Sequence, residues 1–279
     1  MNNIVSYFFH GAKICLTSLC KKACNAVSLV KFAIATILWG KIQDPAGLRD
    51  LLSTIKGLGF DGVGFETRFL PAKIKGSPAE LSAIVRACGL ENAGCYSSMK
   101  TADVEWAASS NTPLVWLVIR QEKKIGQAIR FLSKFAKLAN EAGVVPALHN
   151  HLGTCFETEE EIDRALSKIE GLKLCYDTAH AEAVGIDQRS FIRRHSEKIA
   201  LVHLKDLRKK VPKSKVSFTK DFVNVGEGVV DFENVLSTLV ECGYDRYLML
   251  ELDAAVGKSP DQLAKEGLAR VSTLLKQVA

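Results

Sequence analysis

Although the chain has eight cysteines, Cys15, Cys20, Cys24, Cys88, Cys95, Cys155, Cys175 and Cys242, no two of them form a CxxC pair. Nothing therefore marks them as a disulfide framework. Several fall in apolar stretches where a thiol is an ordinary small core side chain, and the pattern fits a reducing, cytoplasmic compartment. A glycine-rich nucleotide loop is also missing. Trp39-Gly40-Lys41 follows the first β-rich run and is no GxGxxG, which removes the main support for a dinucleotide-binding sheet. Long apolar runs are absent as well. In the first thirty residues Tyr7, Phe8 and Phe9 are followed by Lys13, Lys21 and Lys22, which break the run well short of a membrane span. Those charges follow the apolar residues and no small-residue cleavage pattern closes the segment, so it makes a poor secretory signal. Residues 1–30 read as an N-terminal extension, either an added helix or a targeting-like segment. No linker or low-complexity stretch divides residues 31–279, which read as one domain.

What is present is an ordinary globular composition, 47% apolar and 24% charged over 279 residues. That length suits one α/β barrel, which typically needs about 250 residues. The net charge of +6 owes part of its excess to one stretch containing Lys205, Arg208, Lys209, Lys210, Lys213, Lys215 and Lys220. Such a run is either a solvated loop or a guard that attracts an anionic or phosphorylated substrate.

From Phe32 onward short β-rich runs alternate with amphipathic stretches, which is how consecutive βα units read. The expected strands are 32–38, 61–66, 91–96, 113–119, 144–149, 172–177, 199–204 and 246–252. The clearest helix runs from about Lys123 to Ala142 and stops at Gly143, and Thr158 opens a capping box with Glu161. Eight such units predict a single (β/α)8 TIM barrel with an extra N-terminal segment. An open doubly wound sheet would place its polar residues at one switch point, whereas here they fall at the ends of strands five to eight.

Four of the six histidines, His149, His151, His180 and His203, lie at or just past expected strand ends. Strand side chains alternate faces, so His149 and His151 can both point into the barrel mouth, with Asn150 between them pointing away. Asp177 and Glu251 end apolar strands, where a carboxylate is costly without a cation or hydrogen-bond donors beside it. A divalent metal held by His149 or His151, Asp177, His203 and Glu251 would supply that cation. The mixed imidazole and carboxylate set suits Mn, Zn, Co, Fe or Mg. The plainer alternatives are that Asp177 only caps a helix, that His180 only caps the helix after it, and that His203 and Glu251 are buried structural groups.

The order of His149-Asn150-His151-Leu152-Gly153-Thr154, Asp177-Thr178-Ala179-His180, His203-Leu204-Lys205-Asp206, Val225-Gly226-Glu227-Gly228-Val229-Val230-Asp231-Phe232 and Glu251 resembles the xylose-isomerase-like barrel superfamily. Sugar isomerases and epimerases, inosose dehydratase and endonuclease IV share that fold. The resemblance implies a metal at the ends of strands five to eight, carried over directly to Asp177, His203 and Glu251. Epimerases of this kind commonly have a glutamate at the strand-five position, where this sequence has His149. The run from His149 through Asp163 looks most like inosose dehydratase. The implied function is a metal-dependent isomerase or epimerase of a sugar, polyol or sugar phosphate, with a dehydratase acting on a keto-inositol as the near alternative.

Both reactions begin by removing a proton beside a carbonyl. His151 or His180, with an ordinary imidazole pKa of about 6.5, could take that proton, as could Glu251 if its pKa were raised. Lys205 is placed in the same catalytic group, and with Arg208 it would bind substrate oxygens or a phosphate. Glu66 and Glu227 are further substrate-binding candidates. A DNA-repair role is disfavoured, because strands two and three end in Glu66 and Tyr96-Ser97 and no histidine follows His203. A non-catalytic barrel remains the other alternative. A homo-oligomer is left open.

Overall fold

Each expected β-rich run is a strand in the computed structural model, which describes residues 30–120 and 124–278. The reading of residues 1–30 as an extension falls, but for Val30, outside the described residues. The strands are β1 (Lys31–Ala35), β2 (Gly62–Phe65), β3 (Glu91–Ser97), β4 (Leu114–Leu117), β5 (Val145–His149), β6 (Lys173–Asp177), β7 (Ile199–Leu204) and β8 (Tyr247–Leu250). All pair in parallel with their chain neighbours, and β8 closes on β1. A parallel strand covered on both faces reads as an apolar run, and β2, β4 and β7 are buried along their whole length. The fold is therefore the single (β/α)8 barrel that the alternation predicts.

The outer layer consists of α1 (Pro45–Gly57), α2 (Pro78–Ala87), α3 (Thr101–Ser109), α4 (Ile125–Glu141), α5 (Glu159–Lys168), α6 (Thr178–Val184), α7 (Gln188–His195), α8 (Phe232–Glu241) and α9 (Pro260–Val278). Their starts and stops have local causes. Asp44 accepts from Gly47 N at 2.8 Å ahead of Pro45, the Glu161 carboxylate reaches back to Thr158 N at 3.0 Å, and Gly143 takes φ +73° just after α4. In α4 the buried Ala128, Leu132, Phe135, Ala136 and Ala139 recur at helical spacing and turn one stripe toward the sheet. No helix among the described residues is long and apolar enough to cross a membrane.

Inside the barrel small residues make room for large ones. Ala33, Ala35, Ala93 and Ala147 surround Trp116 and Met249. A Cβ at Gly64 would stand 2.5 Å from the Met249 methyl and 3.0 Å from the Trp116 ring, so the second strand has no side chain there. The floor of the mouth is consequently a packed plug, and the polar strand ends rest on it.

After β7 the chain makes a long excursion over the mouth, and Asp206 fixes both ends of it. Its carboxylate accepts from Leu207 N at 2.8 Å, Gly226 N at 3.0 Å, Gly228 N at 2.8 Å and Val230 N at 3.0 Å. Gly228 approaches so closely that a Cβ would lie 2.1 Å from the Leu207 carbonyl oxygen and 2.5 Å from Asp206 Oδ1. The aspartate of His-Leu-Lys-Asp and the glycines of Val-Gly-Glu-Gly are thus two halves of one anchor. Gly228→Ala should break it and leave buried amides unpaired, costing about 2–4 kcal/mol of stability in urea denaturation. Gly126→Ala is the matched control, because nothing lies within 4 Å of its new methyl group and stability should hardly change.

Candidate metal centre and cleft

The ends of β5 to β8 bring four of the expected side chains together beneath a cavity of about 580 Å³ at the barrel mouth. Asp177 is the last residue of β6 and the N-cap of α6, and it divides its two oxygens between those positions. Oδ1 accepts from Ala179 N at 2.9 Å and His180 N at 3.0 Å. Oδ2 is turned inward, 3.4 Å from His149 Nε2 and 3.7 Å from Lys205 Nζ. Glu251, one residue past β8, does the same: Oε1 accepts from Lys205 Nζ at 2.9 Å while Oε2 abuts His203 Nδ1. One donor atom each of Asp177, His203 and Glu251 lies within 4.8 Å of the others. The plain capping role considered for Asp177 is real, and it leaves the second oxygen free.

Several observations fit a cation at this point. His203 Nε2 is buried without a hydrogen bond, while His203 Nδ1 and Glu251 Oε2 press against each other as an ion pair. Buried polar atoms rarely stay unpaired, and an imidazole nitrogen with no partner beside two carboxylates has the chemistry of a metal donor. Burial alone would raise the pKa of Asp177, but the imidazoles of His180 and His149 and the ammonium of Lys205 more than reverse this and hold it ionised. The same contest at Glu251, with His203 and Lys205 opposing burial, likewise ends far below the usual carboxylate range.

Lys205 differs most from its expected place. Its side chain is fully buried and does not line the cavity. The ammonium donates to Glu251 Oε1 and, at 3.1 Å, to Asp253 Oδ2. Burial would lower its pKa, yet Asp253, Glu251 and Asp177 together push it upward and keep the charge. Captured by three carboxylates, it is not presented to substrate oxygens as the sequence suggested. It orients the carboxylates instead.

His151 does face the cavity. Its Nδ1 lies 2.7 Å from the Leu152 carbonyl, a contact that requires the proton on Nδ1 and leaves a lone pair on Nε2. Burial, with help from His149 and Lys205, lowers its pKa to about 4. The expectation of an untuned imidazole is therefore corrected. His180 is buried below His151, its ring centroid 3.9 Å away, and its Nδ1 accepts from Leu152 N at 3.1 Å. Burial drives its pKa well down too, and it supports His151 from beneath without lining the cavity.

Of the substrate-binding candidates, Glu66 lines the cavity, where it accepts from Arg68 Nε at 2.8 Å. Burial raises its pKa against the pull of Arg68. Arg208 and Glu227 are not brought to the cavity. Arg208 is exposed and donates to the Lys220 carbonyl at 3.1 Å, and Glu227 pairs with Arg270 at 2.8 Å on the outer side of the anchored loop. Two cations of the basic run are also taken up by neighbours, Lys210 by Glu182 at 2.8 Å and Lys213 by Glu157. The run crosses the mouth as a strap, and its Phe218 stands edge-on to His151 with centroids 5.1 Å apart.

Sequence reasoning passed over several cavity residues, namely Asp253, Arg68, Tyr96, Trp116 and Arg120. Asp253 stands two positions after Glu251, a same-face spacing that could have revealed it. Asn150 does not line the cavity and turns to the neighbouring strand. It is buried, its Nδ2 donates to the Asp177 carbonyl at 3.0 Å and its Oδ1 accepts from Asp177 N at 2.8 Å.

Comparison with known proteins agrees with this architecture. A family described as xylose isomerase-like TIM barrel matches residues 111–274. Inosose dehydratase of Geobacillus thermodenitrificans is 35% identical over 133 residues, which is 44% of this chain and 45% of that protein. The rhizopine catabolism protein MocC of Rhizobium meliloti is 33% identical over 157 residues, 51% of this chain and 48% of that protein. The matches thus span about half the length of these curated relatives. Among solved structures, L-ribulose 3-epimerase superposes with a TM-score of 0.73 at 17% identity, covering 89% of this chain and 95% of that one. The IOLI protein, crystallised with a zinc atom, gives 0.74 at 16% identity, covering 89% and 99%. The chain belongs to the xylose isomerase-like TIM barrel family.

The buried ammonium provides a direct test of this geometry. Lys205→Met keeps most of the side-chain volume but leaves Glu251 and Asp253 without their cation. The expected loss is about 3–5 kcal/mol of unfolding free energy, read by urea denaturation at neutral pH. An unchanged midpoint would show that the carboxylates do not depend on Lys205.

Proposed function

We propose that the chain is a divalent-metal-dependent enzyme that removes a proton beside the carbonyl of a small cyclic keto-polyol and expels water from it, as a dehydratase. The observation that carries the reading is the convergence of Asp177, His203 and Glu251 donor atoms within 4.8 Å under a cavity whose wall offers the free lone pair of His151. His149, with its Nε2 beside Asp177 Oδ2, would complete the ligand set. A divalent ion bound there would polarise the substrate carbonyl and so acidify the neighbouring C–H bond. Which of Mn, Zn, Co, Fe or Mg serves is left to measurement.

The residues around that centre divide the remaining work. His151 Nε2 takes the proton, its tautomer fixed by the Leu152 carbonyl. His151, once protonated, would return that proton to the leaving hydroxyl, and Glu66, held by Arg68 at the cavity wall, would orient it. Trp116, Tyr96 and Phe218 give the cavity aromatic walls that suit the C–H faces of a ring, and Arg68, Arg120 and Asp253 offer polar groups for its hydroxyls. The volume of about 580 Å³ suits one such small molecule.

Dehydration is preferred to epimerisation because strand five supplies imidazoles. Exchange of a proton between two faces of a carbon is simplest with two opposed carboxylates. Here Glu251 is engaged with Lys205 and His203, and the strand-five position is His149. Inosose dehydratases among the matched relatives point the same way, toward a keto-inositol. A ketose isomerase or epimerase is the second reading, favoured by the epimerase among the structural neighbours.

Asp177→Asn and His203→Ala should each remove the bound ion, measured by metal analysis after gel filtration, while circular dichroism stays largely unchanged. Asparagine still caps a helix, so Asp177→Asn isolates the ligand role. Stoichiometric metal retained in both variants would contradict the assignment. His151→Ala should retain metal yet lower kcat on a keto-inositol by about 10²–10⁴-fold, followed by the absorbance of the dehydrated product. Turnover of a ketose to its epimer, with the keto-inositol untouched, would replace dehydration by the second reading.

A further inference from the structure

The mechanism leaves Cys175 without a task. It lies in β6 two residues before Asp177, on the same inward face, and pairs in register with His149 of β5. It belongs to the barrel interior with Ala147, Leu201 and Met249. Its thiol has no hydrogen-bond partner among the described residues. Its sulfur and one donor nitrogen each of His149 and His203 all lie within 4.8 Å of one another. His203 Nδ1 is taken by Glu251, but its Nε2 has no hydrogen bond, so the sulfur is not a lone feature: a fully buried imidazole with one nitrogen unpartnered stands beside it.

We propose that His149, Cys175 and His203 form a second, deeper position for a thiophilic divalent ion, sharing His149 and His203 with the carboxylate set above it. The inference rests on the metal reading given under Proposed function and adds a soft donor to it. An ion midway between three donors no more than 4.8 Å apart would lie at most roughly 2.8 Å from each, against bonds of about 2.0–2.3 Å for zinc, so small side-chain rotations close the set. Two imidazoles and a thiolate suit zinc or cobalt, whereas a set that adds the carboxylates of Asp177 and Glu251 also admits manganese. The deeper position would therefore decide which ion the protein retains. Burial keeps the thiol protonated when no cation is present. On binding, the S–H bond breaks, the proton leaves to solvent and a metal–sulfur bond takes its place.

The test uses the whole chain, stripped with a chelator and loaded with cobalt(II). The expected result is a sulfur-to-cobalt charge-transfer band in the near ultraviolet, lost in Cys175→Ser while cobalt remains bound through the other ligands. The same substitution should shift competition between zinc and manganese toward manganese. Cobalt bound by the unaltered protein without that band overturns the deeper position and leaves the metal reading intact. A band that persists in Cys175→Ser assigns the sulfur elsewhere and also overturns it. Failure to bind any cobalt, zinc or manganese would sink both readings together. Because the unaltered protein alone can give the overturning result, the test does not depend on the variant folding.

Discussion

A charge placed where water cannot reach must be answered by its neighbours, and the mouth of this barrel is arranged around that requirement. Three carboxylates, Asp177, Glu251 and Asp253, come from the ends of two non-adjacent strands and meet the buried ammonium of Lys205. Each such group would be costly by itself, and the attraction among them is useful only when the geometry is good. Lys205 supplies the geometry by taking one oxygen of Glu251 and leaving the other beside His203. Around Lys205 three carboxylates face one ammonium, a local excess of negative charge that a divalent ion would offset.

The same frugality with donors and acceptors recurs around the site. Asp177 caps α6 with one oxygen and offers the other inward. His151 ties down one nitrogen and frees the second, and His180 lies under it as a support. Farther out, Asp206 holds four amides so that the strap bearing Phe218 returns across the mouth in a fixed path. Chemistry at the centre is thus specified by what each side chain has already committed to elsewhere.

Much of this was legible in the residues themselves. Strands buried on both faces must be apolar, so the eight could be read from short apolar runs alternating with helical stretches, and a carboxylate or imidazole closing such a run stands out. What could not be read were distances across strands that are far apart in sequence. Lys205 looks like a substrate contact until Asp253 is seen to reach it, and Arg208, three residues on, turns outward to the Lys220 carbonyl. Glu227 has the glycine-flanked setting of a functional residue, but the glycines are there because Gly228 must press against Asp206. Tyr96, Trp116 and Arg120 carry no local signal, since a barrel lining is assembled from every strand and not from any one motif.

Asn150 has one further bearing. Its amide gives and receives the two bonds that a backbone unit of β5 would have exchanged with Asp177, just where the fifth strand ends. The ladder is in effect prolonged by a side chain, so the separation of His149 from Asp177 no longer depends on the main chain beyond them. The connecting segment after His151 is thereby released from any part in gauging that gap. Over evolutionary time it could lengthen, shorten or change composition to suit a new substrate, with the ion-binding floor beneath it undisturbed.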